Sequence, residues 1–406
     1  MKKQFDIIIV GASASGLAAA INAKKIAPKS SIAMLERLPR VGKKILATGN
    51  GRCNLSNIGA ADHPYTNKDF ASTALSKYNV DKTLEFFKSI GLLTYTDSSG
   101  RIYPLSNTAS GVLDSLRFAA ENCGIEIFCD TKVQKIKPTT GGFAINDEFL
   151  CKKLLIAAGG CAAPTQGSDG SGYELLKLLG HHVTKLFPSL VQLTSPDKRM
   201  RSLKGVRVHD AIIEIDGVQS RGEVLFTDYG LSGIATMEIS SVAARKCESS
   251  KTVLATLDLL PTMTENEITD FLSNFSTKCE NMLNGLLPKA VGAAVLREAG
   301  IDSAVSSDKL SKNDFCKISR VIKHFEVVIN GTKGFDSAQV TSGGADVREF
   351  EADTLKSKIV PSLWCSGEIL DIDGGCGGFN LQWAWSSGLL AGEKMAKELT
   401  YGEKYA

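Results

Sequence analysis

The chain begins with an apolar run in which hydrophobic residues do not alternate with polar ones. Ile7 to Val10 are β-branched residues in succession, and the run ends at Gly11. This pattern is typical of a strand buried in a parallel sheet that is covered on both faces. Small residues from Leu17 to Ala23 follow and predict a helix. A glycine turn between the two would point the unpaired N–H groups of the helix at a ligand above the strand end.

A second apolar strand is predicted from Ser31 to Leu35, and it ends at Glu36. This acid stands about 20 residues beyond Gly16, where dinucleotide-binding folds place a ribose-binding carboxylate. Ser13 occupies the middle glycine of the Gly-x-Gly-x-x-Gly pattern, and its hydroxyl could donate to a phosphate oxygen. We predict a nucleotide pyrophosphate beside Gly11, Ser13 and Gly16, with a ribose hydroxyl on Glu36. The turn alone does not separate FAD from NAD.

The chain then continues an α/β pattern. It predicts helices over residues 69–90 and from Thr108 to Cys123, a strand from Glu126 to Val133, a hairpin turn at 140–142, and a buried strand from Leu154 to Ala158 that ends at Gly159. This order is that of the second half of a two-dinucleotide FAD fold, in which the backbone near Val133 contacts the adenine. Val133, Ala158 and Gly159 are therefore candidate cofactor contacts.

Composition changes at Pro188, after which strand-like patterns extend to about Leu257 and helical patterns follow from Pro261. The predicted fold is an α/β, two-dinucleotide-binding (Rossmann-like) FAD fold with an inserted β-rich domain and an inserted helical domain. Residues 1–188 and 336–406 form the predicted discontinuous FAD-binding domain. The predicted insertions are a β-rich domain over 189–257 and a helical domain over 258–335.

A cationic, glycine-rich segment comes directly after the predicted ribose-binding acid. Glycine and asparagine tolerate positive φ, and lysines with free backbone N–H groups bind anions. The alternative is a solvated surface turn, but polar side chains and glycines alternate so densely that anion binding is the favoured interpretation. The candidate cofactor contacts in this segment are Arg37, Lys43, Lys44, Thr48, Gly49 and Asn50.

A second acid and a second glycine loop near the C-terminus decide between the cofactors. A strand from Val360 is predicted to end at Gly367 and Glu368, and a glycine loop over 371–382 then leads into a helix from Trp383 to Leu399. A carboxylate at a strand end can hold ribityl hydroxyls, and a helix start directs its positive end at the negative charge on a reduced flavin. These features favour FAD over NAD. The candidate contacts here are Gly367, Glu368, Gly378, Phe379 and Asn380.

Small residues on the C-terminal helix form a seam. Ala384, Gly388 and Gly392 recur at helical spacing. We expect this seam to let the helix lie close to the sheet.

Charge and cysteine content narrow the class of protein. The 406 residues carry 47 Lys and Arg against 44 Asp and Glu, so no strong field favours nucleic acid or an anionic membrane. No apolar stretch reaches the length of a membrane span. Ten cysteines without a C-x-x-C pair predict reduced thiols in the cytoplasm, and they argue against a disulfide reductase and a zinc site. We expect no metal, no membrane and no nucleic-acid partner.

Several motifs together resemble the BaiN/YhiN-type flavoproteins, which are 3-dehydro-bile acid Δ4,6-reductase-like and have an aminoacetone oxidase as a relative. The motifs lie at Gly42–Lys44, Thr48–Asn54, Phe226–Thr227, Gly230–Gly233, Thr341–Gly344 and 367–384. The resemblance covers nearly the whole chain and implies bound FAD. By analogy, the family's FAD contacts fall on Ala14, Ser15, Glu36, Lys44, Val133, Glu368, Asp373 and Leu381.

The predicted function is an FAD-dependent oxidoreductase that transfers a hydride through flavin N5. The leading hypothesis is NAD(P)H-dependent reduction of a conjugated, bile-acid- or steroid-like enone. Because no second nucleotide fingerprint is visible, NAD(P)H would be a transient donor to the flavin. The alternatives are an oxidase of an amine or amino ketone that uses O₂, and an RNA-modifying flavoprotein. Substrate, electron donor and oligomeric state stay open.

Reduction of an enone also needs a positioned acid. Tyr103 is the candidate proton donor, with Arg101 lowering its pKa or binding the carbonyl oxygen. Both are expected in a loop that follows the turn at Asp97–Gly100. The alternative is that Tyr103 only packs at a strand end.

Overall fold

The structure is a computed structural model that describes residues 2–274 and 276–402. The chain divides into two units. The first consists of Met1–Leu186 and Val340–Ala406, and the second of Phe187–Gln339. The predicted three-domain division stays a prediction.

Both units contain strands and helices. The strands are β1 (Lys3–Val10), β2 (Ile32–Leu35), β3 (Ser56–Asn57), β4 (Thr94–Thr96), β5 (Arg101–Pro104), β6 (Glu126–Phe128), β7 (Ile136–Thr139), β8 (Gly142–Ile145), β9 (Phe149–Ile156), β10 (Phe187–Ser189), β11 (Leu193–Thr194), β12 (Arg207–Ile215), β13 (Val218–Thr227), β14 (Gly230–Ser232), β15 (Val253–Asp258), β16 (Phe325–Ile329), β17 (Gly331–Thr332), β18 (Val340–Ser342) and β19 (Leu363–Cys365). The helices are α1 (Ala14–Ile26), α2 (Lys43–Ala47), α3 (Lys68–Lys77), α4 (Val80–Ser89), α5 (Ala109–Asn122), α6 (Ser171–Leu178), α7 (Arg199–Leu203), α8 (Ile234–Glu238), α9 (Ser240–Ser250), α10 (Glu265–Ser273), α11 (Cys279–Met282), α12 (Lys289–Glu298), α13 (Lys312–Lys323) and α14 (Phe379–Gly402).

The main sheet of the first unit contains the strands predicted to be buried. Its strand order is β6-β2-β1-β9-β8-β7, and β19 also pairs with β9. The strands β6, β2, β1, β9 and β19 pair in parallel, whereas β8 and β7 continue the sheet antiparallel. Ile7, Ile8 and Ile9 are fully buried, as their unbroken apolar pattern predicts. This is the Rossmann-type α/β fold.

The C-terminal helix packs against another helix rather than against the sheet. A Cβ added at Gly388 would lie 2.3 Å from the carbonyl oxygen of Ser15, and one at Gly392 would lie 2.3 Å from that of Ala19. Both carbonyls belong to α1. The predicted small-residue seam is therefore real, but the expectation that it faces the sheet is wrong, because α1 already covers this part of the sheet.

Three further sequence predictions change in the first unit. The helix expected over 69–90 is two helices, α3 and α4, and the side chain of Asn79 caps the second by accepting from the N–H of Lys82. The strand expected from Glu126 to Val133 ends at Phe128. Tyr103 and Arg101 lie on β5, in a three-stranded sheet of order β3-β5-β4, and not in a loop.

The second unit has one seven-stranded sheet of order β16-β15-β12-β13-β14-β11-β17. Its hydrophobic core joins residues of this sheet, such as Ile213 and Val327, with helical residues such as Ile268 and Ile318. Capping boxes start α10 at Thr264 and α13 at Ser311.

The described residues contain neither a membrane-spanning helix nor a metal-binding cluster. Over residues 2–274 and 276–402, no helix has the length and hydropathy of a bilayer-spanning segment. Within the same ranges, no group of three or more His, Cys, Asp or Glu side chains is arranged to hold a metal ion.

Candidate cofactor and active site

In the turn between β1 and α1, glycines allow backbone segments to pack closely against one another. Gly11 has φ 102°, and a Cβ added there would lie 2.5 Å from the carbonyl oxygen of Ala157. A Cβ added at Gly16 would lie 2.1 Å from the carbonyl oxygen of Gly11. Helix α1 has no acid in its first turn, and Ser13 at its N-cap makes no side-chain cap. The first N–H groups of α1 are therefore available to a phosphate.

Glu36 lies at the end of β2 and is 8% exposed. Its Oε2 accepts a hydrogen bond of 3.0 Å from the N–H of Ala12, and its Oε1 accepts one of 2.9 Å from the N–H of Leu38. The carboxylate is thus held between the ends of the two strands. Each oxygen can accept one further hydrogen bond, so the group can also bind sugar hydroxyls.

Two of the predicted anion-binding cations contact the chain itself. Arg37 donates from Nη2 to the carbonyl oxygen of Pro164 over 2.8 Å, and its Nη1 lies 3.2 Å from Oδ2 of Asp169. Lys43 donates from Nζ to the carbonyl oxygen of Thr165 over 2.9 Å. Both side chains hold the loop before α6, and their contact with a cofactor stays a prediction.

Lys44 and Glu368 form an ion pair, with 2.8 Å between Nζ and Oε2. Glu368 lies in a 3₁₀ turn, Gly367–Ile369, and not on a strand end as expected, because β19 stops at Cys365. Its Oε1 accepts a hydrogen bond of 2.8 Å from the N–H of Thr341. The pair is partly exposed, with a side-chain exposure of 20% for each residue. It can therefore present a fixed carboxylate to ligand hydroxyls.

The end of β9 lies beside this ion pair. Ala158 follows the strand, and Gly159 turns the chain with φ 73°. A Cβ added at the next residue, Gly160, would lie 2.9 Å from Oε1 of Glu368 and 2.4 Å from Oγ1 of Thr341. The structure therefore brings together the predicted strand end and the predicted acid, which are distant in sequence.

The second glycine loop leads into α14, which begins at Phe379 and thus earlier than expected. Gly378 has φ 99°, and a Cβ there would lie 2.4 Å from the carbonyl oxygen of Ser56. Asn380 closes the loop on itself, since its Oδ1 accepts from the N–H of Gly374 over 2.9 Å and its Nδ2 donates to the carbonyl oxygen of Gly374 over 2.8 Å. The loop is rigidly built, and its first helical N–H groups have no partner within the helix.

Four other predicted contacts have local roles. Thr48 donates from Oγ1 to the carbonyl oxygen of Ile45 over 2.6 Å. Gly49 and Asn50 have left-handed backbone, with φ 56° and 55°. Asp373 accepts on Oδ1 from the hydroxyl of Thr66 over 2.7 Å. The sequence anticipated the positive φ of this segment, but it did not reveal these partners.

The remaining contacts implied by the family resemblance fall at buried or half-buried positions. Ala14 and Ser15 are buried in the first turn of α1, and Val133 is buried in the segment between β6 and β7. Leu381 is partly buried against the main core at the start of α14. Their contact with a cofactor stays a prediction.

Sequence reasoning missed His63. The N–H of Gly375 donates to its Nε2 over 2.8 Å, and its ring stacks on Phe379 with centroids 3.7 Å apart. Burial, and to a smaller extent the nearby charge of Lys68, lowers the pKa of His63 to about 4, so the imidazole is neutral at pH 7. His63 therefore supports the second glycine loop. Gly375 and Phe379 lie more than 300 positions further along the chain, and the local partner is Tyr65, whose ring centroid lies 5.0 Å from that of His63.

The structure places Arg52, not Arg101, against Tyr103. The guanidinium carbon of Arg52 lies 4.7 Å from the centroid of the Tyr103 ring, and Tyr95 stacks on the same ring with centroids 5.9 Å apart. The N–H of Arg101 donates to Oδ1 of Asp97, but its guanidinium forms no hydrogen bond or close ion pair with the residues that the structure describes. The hydroxyl of Tyr103 is equally free of hydrogen bonds within the described chain.

The residues at these two helix starts fit FAD. The uncapped start of α1 suits a pyrophosphate, Glu36 suits the ribose, and the Lys44–Glu368 pair with the start of α14 suits the ribityl chain and the flavin ring. Two buried polar atoms nearby, Oγ of Ser366 and Oδ1 of Asn54, lack a hydrogen-bond partner in the described residues. Buried polar atoms without partners are rare in proteins, and a ligand would satisfy them.

Comparison with known proteins shows the family of the chain. Residues 5–394 match the family described as "HI0933-like protein Rossmann domain". The chain is 35% identical to the 3-dehydro-bile acid Δ(4,6)-reductase of Clostridium scindens, over 96% of this chain and 98% of that protein. It is 30% identical to the ribosomal RNA dihydrouridine synthase of Escherichia coli, over 95% of this chain and 96% of that protein.

A solved structure extends the comparison to the fold. The 3-ketosteroid Δ1-dehydrogenase of Sterolibacterium denitrificans superposes with a TM-score of 0.51 at 12% identity, over 98% of this chain and all of that one. At this identity the likeness concerns the fold alone. The chain therefore belongs to the HI0933-like Rossmann-domain family and has the fold of FAD-dependent oxidoreductases.

Proposed function

We propose that this FAD-dependent oxidoreductase reduces a carbon–carbon double bond conjugated to a carbonyl group, with NAD(P)H as a transient electron donor. The proposal rests on one observation: the names of the Clostridium scindens and Escherichia coli relatives describe the same kind of reaction. A bile acid Δ(4,6)-reductase acts on a 3-oxo compound with conjugated double bonds, and dihydrouridine formation saturates the double bond conjugated to a uracil carbonyl. Both reactions add a hydride to the carbon remote from the carbonyl and a proton to its neighbour.

The chain's own residues would bind and orient the cofactor. The uncapped first turn of α1 would bind the pyrophosphate, and Glu36 would bind the ribose. Glu368, fixed by Lys44, would accept hydrogen bonds from the ribityl hydroxyls, and the positive end of α14 would stabilise negative charge on the flavin. When bound, FAD supplies a two-electron carrier that passes a hydride through N5.

Tyr103 is the proposed proton donor. Its hydroxyl is not committed to another residue in the described chain, so it is available to a substrate. The ring is only 3% exposed and stacks on Tyr95, so the phenol has a fixed position. A fixed acid of this kind typically contributes roughly 10²–10⁴-fold to a proton transfer.

A ribosomal RNA substrate is the second candidate, favoured by the identity to the Escherichia coli dihydrouridine synthase. The reacting group would again be a conjugated carbonyl, so the same flavin and acid would serve. The net charge of +3 argues for a small molecule, because RNA binding relies on many cationic contacts to phosphates.

The test is anaerobic reduction followed by oxidation. NADH or NADPH should bleach the flavin of the purified protein, and a 3-oxo-4,6-diene steroid acid should then restore its absorbance without O₂. Tyr103→Phe should slow the second step by roughly 10²–10⁴-fold while leaving the first unchanged. Reduction by an amine or amino ketone, with reoxidation only by O₂, would instead identify an oxidase and overturn the proposal.

A further inference from the structure

Arg52 is an exposed arginine whose charge no acid neutralises. Its guanidinium has no ion pair and no hydrogen bond with the residues that the structure describes, and its one recorded contact is the face of Tyr103. Two other surface arginines, Arg117 and Arg221, are paired with acids. Arg221 forms two hydrogen bonds of 2.8 Å with Asp210, and Arg117 lies 3.4 Å from Asp114.

The backbone holds Arg52 in place. Its N–H donates to the carbonyl oxygen of Gly49 over 3.2 Å, and the next residue, Cys53, donates to the carbonyl oxygen of Thr48 over 2.9 Å. Cys53 is fully buried and has φ 57°, so the segment is anchored on its inner side. The side chain of Arg52 is therefore presented from a fixed turn and not from a free loop.

The surface around Arg52 continues to the second glycine loop. Tyr103 and Arg101 lie on one face of β5, because side chains two apart on a strand share a face. Arg101 pairs across the sheet with Asn57, whose Nδ2 donates to the carbonyl oxygen of Gly377 over 3.0 Å. The side-chain donor groups of Arg52, Arg101 and Tyr103 have no hydrogen-bond partner in the described chain. They lie along one face of this sheet, and the same face continues to the loop that precedes α14.

We propose that Arg52 is a specificity-determining residue that binds the carboxylate of an anionic enone substrate on this face. A guanidinium that stacks on an aromatic ring keeps its planar edge of N–H groups free, and this edge matches a carboxylate in two parallel hydrogen bonds. Tyr103 is the platform that fixes the plane of the guanidinium. The proposal rests on the proposed function, since it names the class of substrate for the same site.

The test compares a 3-oxo-4,6-diene steroid acid with its neutral methyl ester. Arg52→Gln should raise KM for the acid by roughly 10- to 100-fold, as expected for loss of a charge-assisted hydrogen bond, and leave kcat within a few-fold. KM for the ester should not change. Arg52→Lys should restore part of the preference for the acid, because lysine keeps the charge but lacks the planar edge.

Arg117→Gln is the matched control. Arg117 also lies over an aromatic ring, 4.6 Å from the centroid of Phe118, but it is paired with Asp114 and Glu121 on α5. The same substitution there should leave KM for both compounds unchanged. If Arg52→Gln raises KM equally for the acid and the ester, Arg52 only packs on Tyr103, and the proposal is overturned.

Binding measurements separate this proposal from the proposed function. If the wild-type protein reduces neither compound, the proposed function fails, and calorimetry of both compounds still tests Arg52. Tighter binding of the acid that is lost in Arg52→Gln supports the carboxylate site, whereas equal or absent binding of the two compounds overturns it. An Arg52-dependent KM for a uridine oligonucleotide, without such dependence for the acid, would also overturn it in favour of phosphate recognition.

Discussion

Single side chains in this candidate site hold the backbone in place by hydrogen bonds to its N–H groups. Glu36 accepts hydrogen bonds from two backbone N–H groups at the ends of β1 and β2, and it still has acceptor positions for a sugar. His63 accepts from the N–H of Gly375 and stacks on Phe379, so it holds the loop that precedes α14. At this scale, the shape of the candidate cofactor site depends on neutral and anionic acceptors placed against backbone N–H groups.

His63 gives a pH-dependent prediction. Burial lowers its pKa in the folded protein to about 4, below the usual value of about 6.5. As pH falls from about 6.5 to about 4, the unfolded chain takes up a proton at His63 that the folded chain does not. The free energy of unfolding therefore decreases over this range. Below about pH 4 both states are protonated and this contribution stops changing.

The measurement is urea unfolding of wild type and His63→Gln between pH 4 and pH 7.5. The variant should lose part of the stability decrease that wild type shows between pH 6.5 and 4. His209→Gln, at a side chain that is 84% exposed, is the control and should keep the wild-type slope. Identical pH slopes for wild type and His63→Gln would contradict the role assigned to His63.

At the scale of elements, the contact between α1 and α14 positions both halves of the site. The first turn of α1 carries the candidate phosphate-binding N–H groups, and α14 begins at the second glycine loop. The two helices meet where Gly388 and Gly392 face the carbonyl oxygens of Ser15 and Ala19. Close packing of backbone on backbone therefore sets the distance between the two helix starts.

Gly388→Ala tests this contact. The new Cβ would lie 2.3 Å from the carbonyl oxygen of Ser15, so α14 must shift away from α1. We expect the free energy of unfolding to fall by about 1–3 kcal/mol, as for other overpacked sites, together with weaker retention of flavin. Gly141→Ala, where an added Cβ meets nothing within 4 Å, should change neither quantity. Unchanged stability and flavin content in Gly388→Ala would show that the helices tolerate a wider spacing.

At the scale of the whole molecule, charge is nearly balanced. The chain has 47 Lys and Arg and 44 Asp and Glu. Many surface cations are paired, such as Lys204 with Asp228 and Lys246 with Asp216 in the second unit. The absence of a nucleic-acid partner stays a prediction. It needs a direct test, because two relatives are ribosomal RNA dihydrouridine synthases.

We expect weak and strongly salt-sensitive binding to RNA. At physiological salt, the Kd for a uridine-containing ribosomal RNA fragment should lie at about 10⁻⁴–10⁻⁶ M, the usual range of non-specific binding. Fluorescence anisotropy over a salt series measures this value, and mass spectrometry of the same RNA after incubation with NADPH measures dihydrouridine. Binding tighter than about 10⁻⁸ M, with dihydrouridine formed, would favour the RNA substrate.

The sequence by itself determined the parts of the site that depend on neighbours in the chain. The unbroken apolar run of β1 reflects burial on both faces, and the glycines at 11 and 16 reflect contacts within the turn that they form. Glu36 was identified because its spacing from this turn follows the length of one helix and one strand. Such local patterns, together with the family motifs, were sufficient for the Rossmann fold and the cofactor class.

Only the tertiary structure decided which distant residues meet. It placed Arg52 rather than Arg101 on the ring of Tyr103, His63 beneath the loop at Gly375, and Gly388 against α1. It also moved Glu368 from the expected strand end into a 3₁₀ turn beside Lys44. The physical reason is that these contacts depend on how strands and helices pack against one another, and a side chain's partner across such a contact leaves no periodic signal in its own segment.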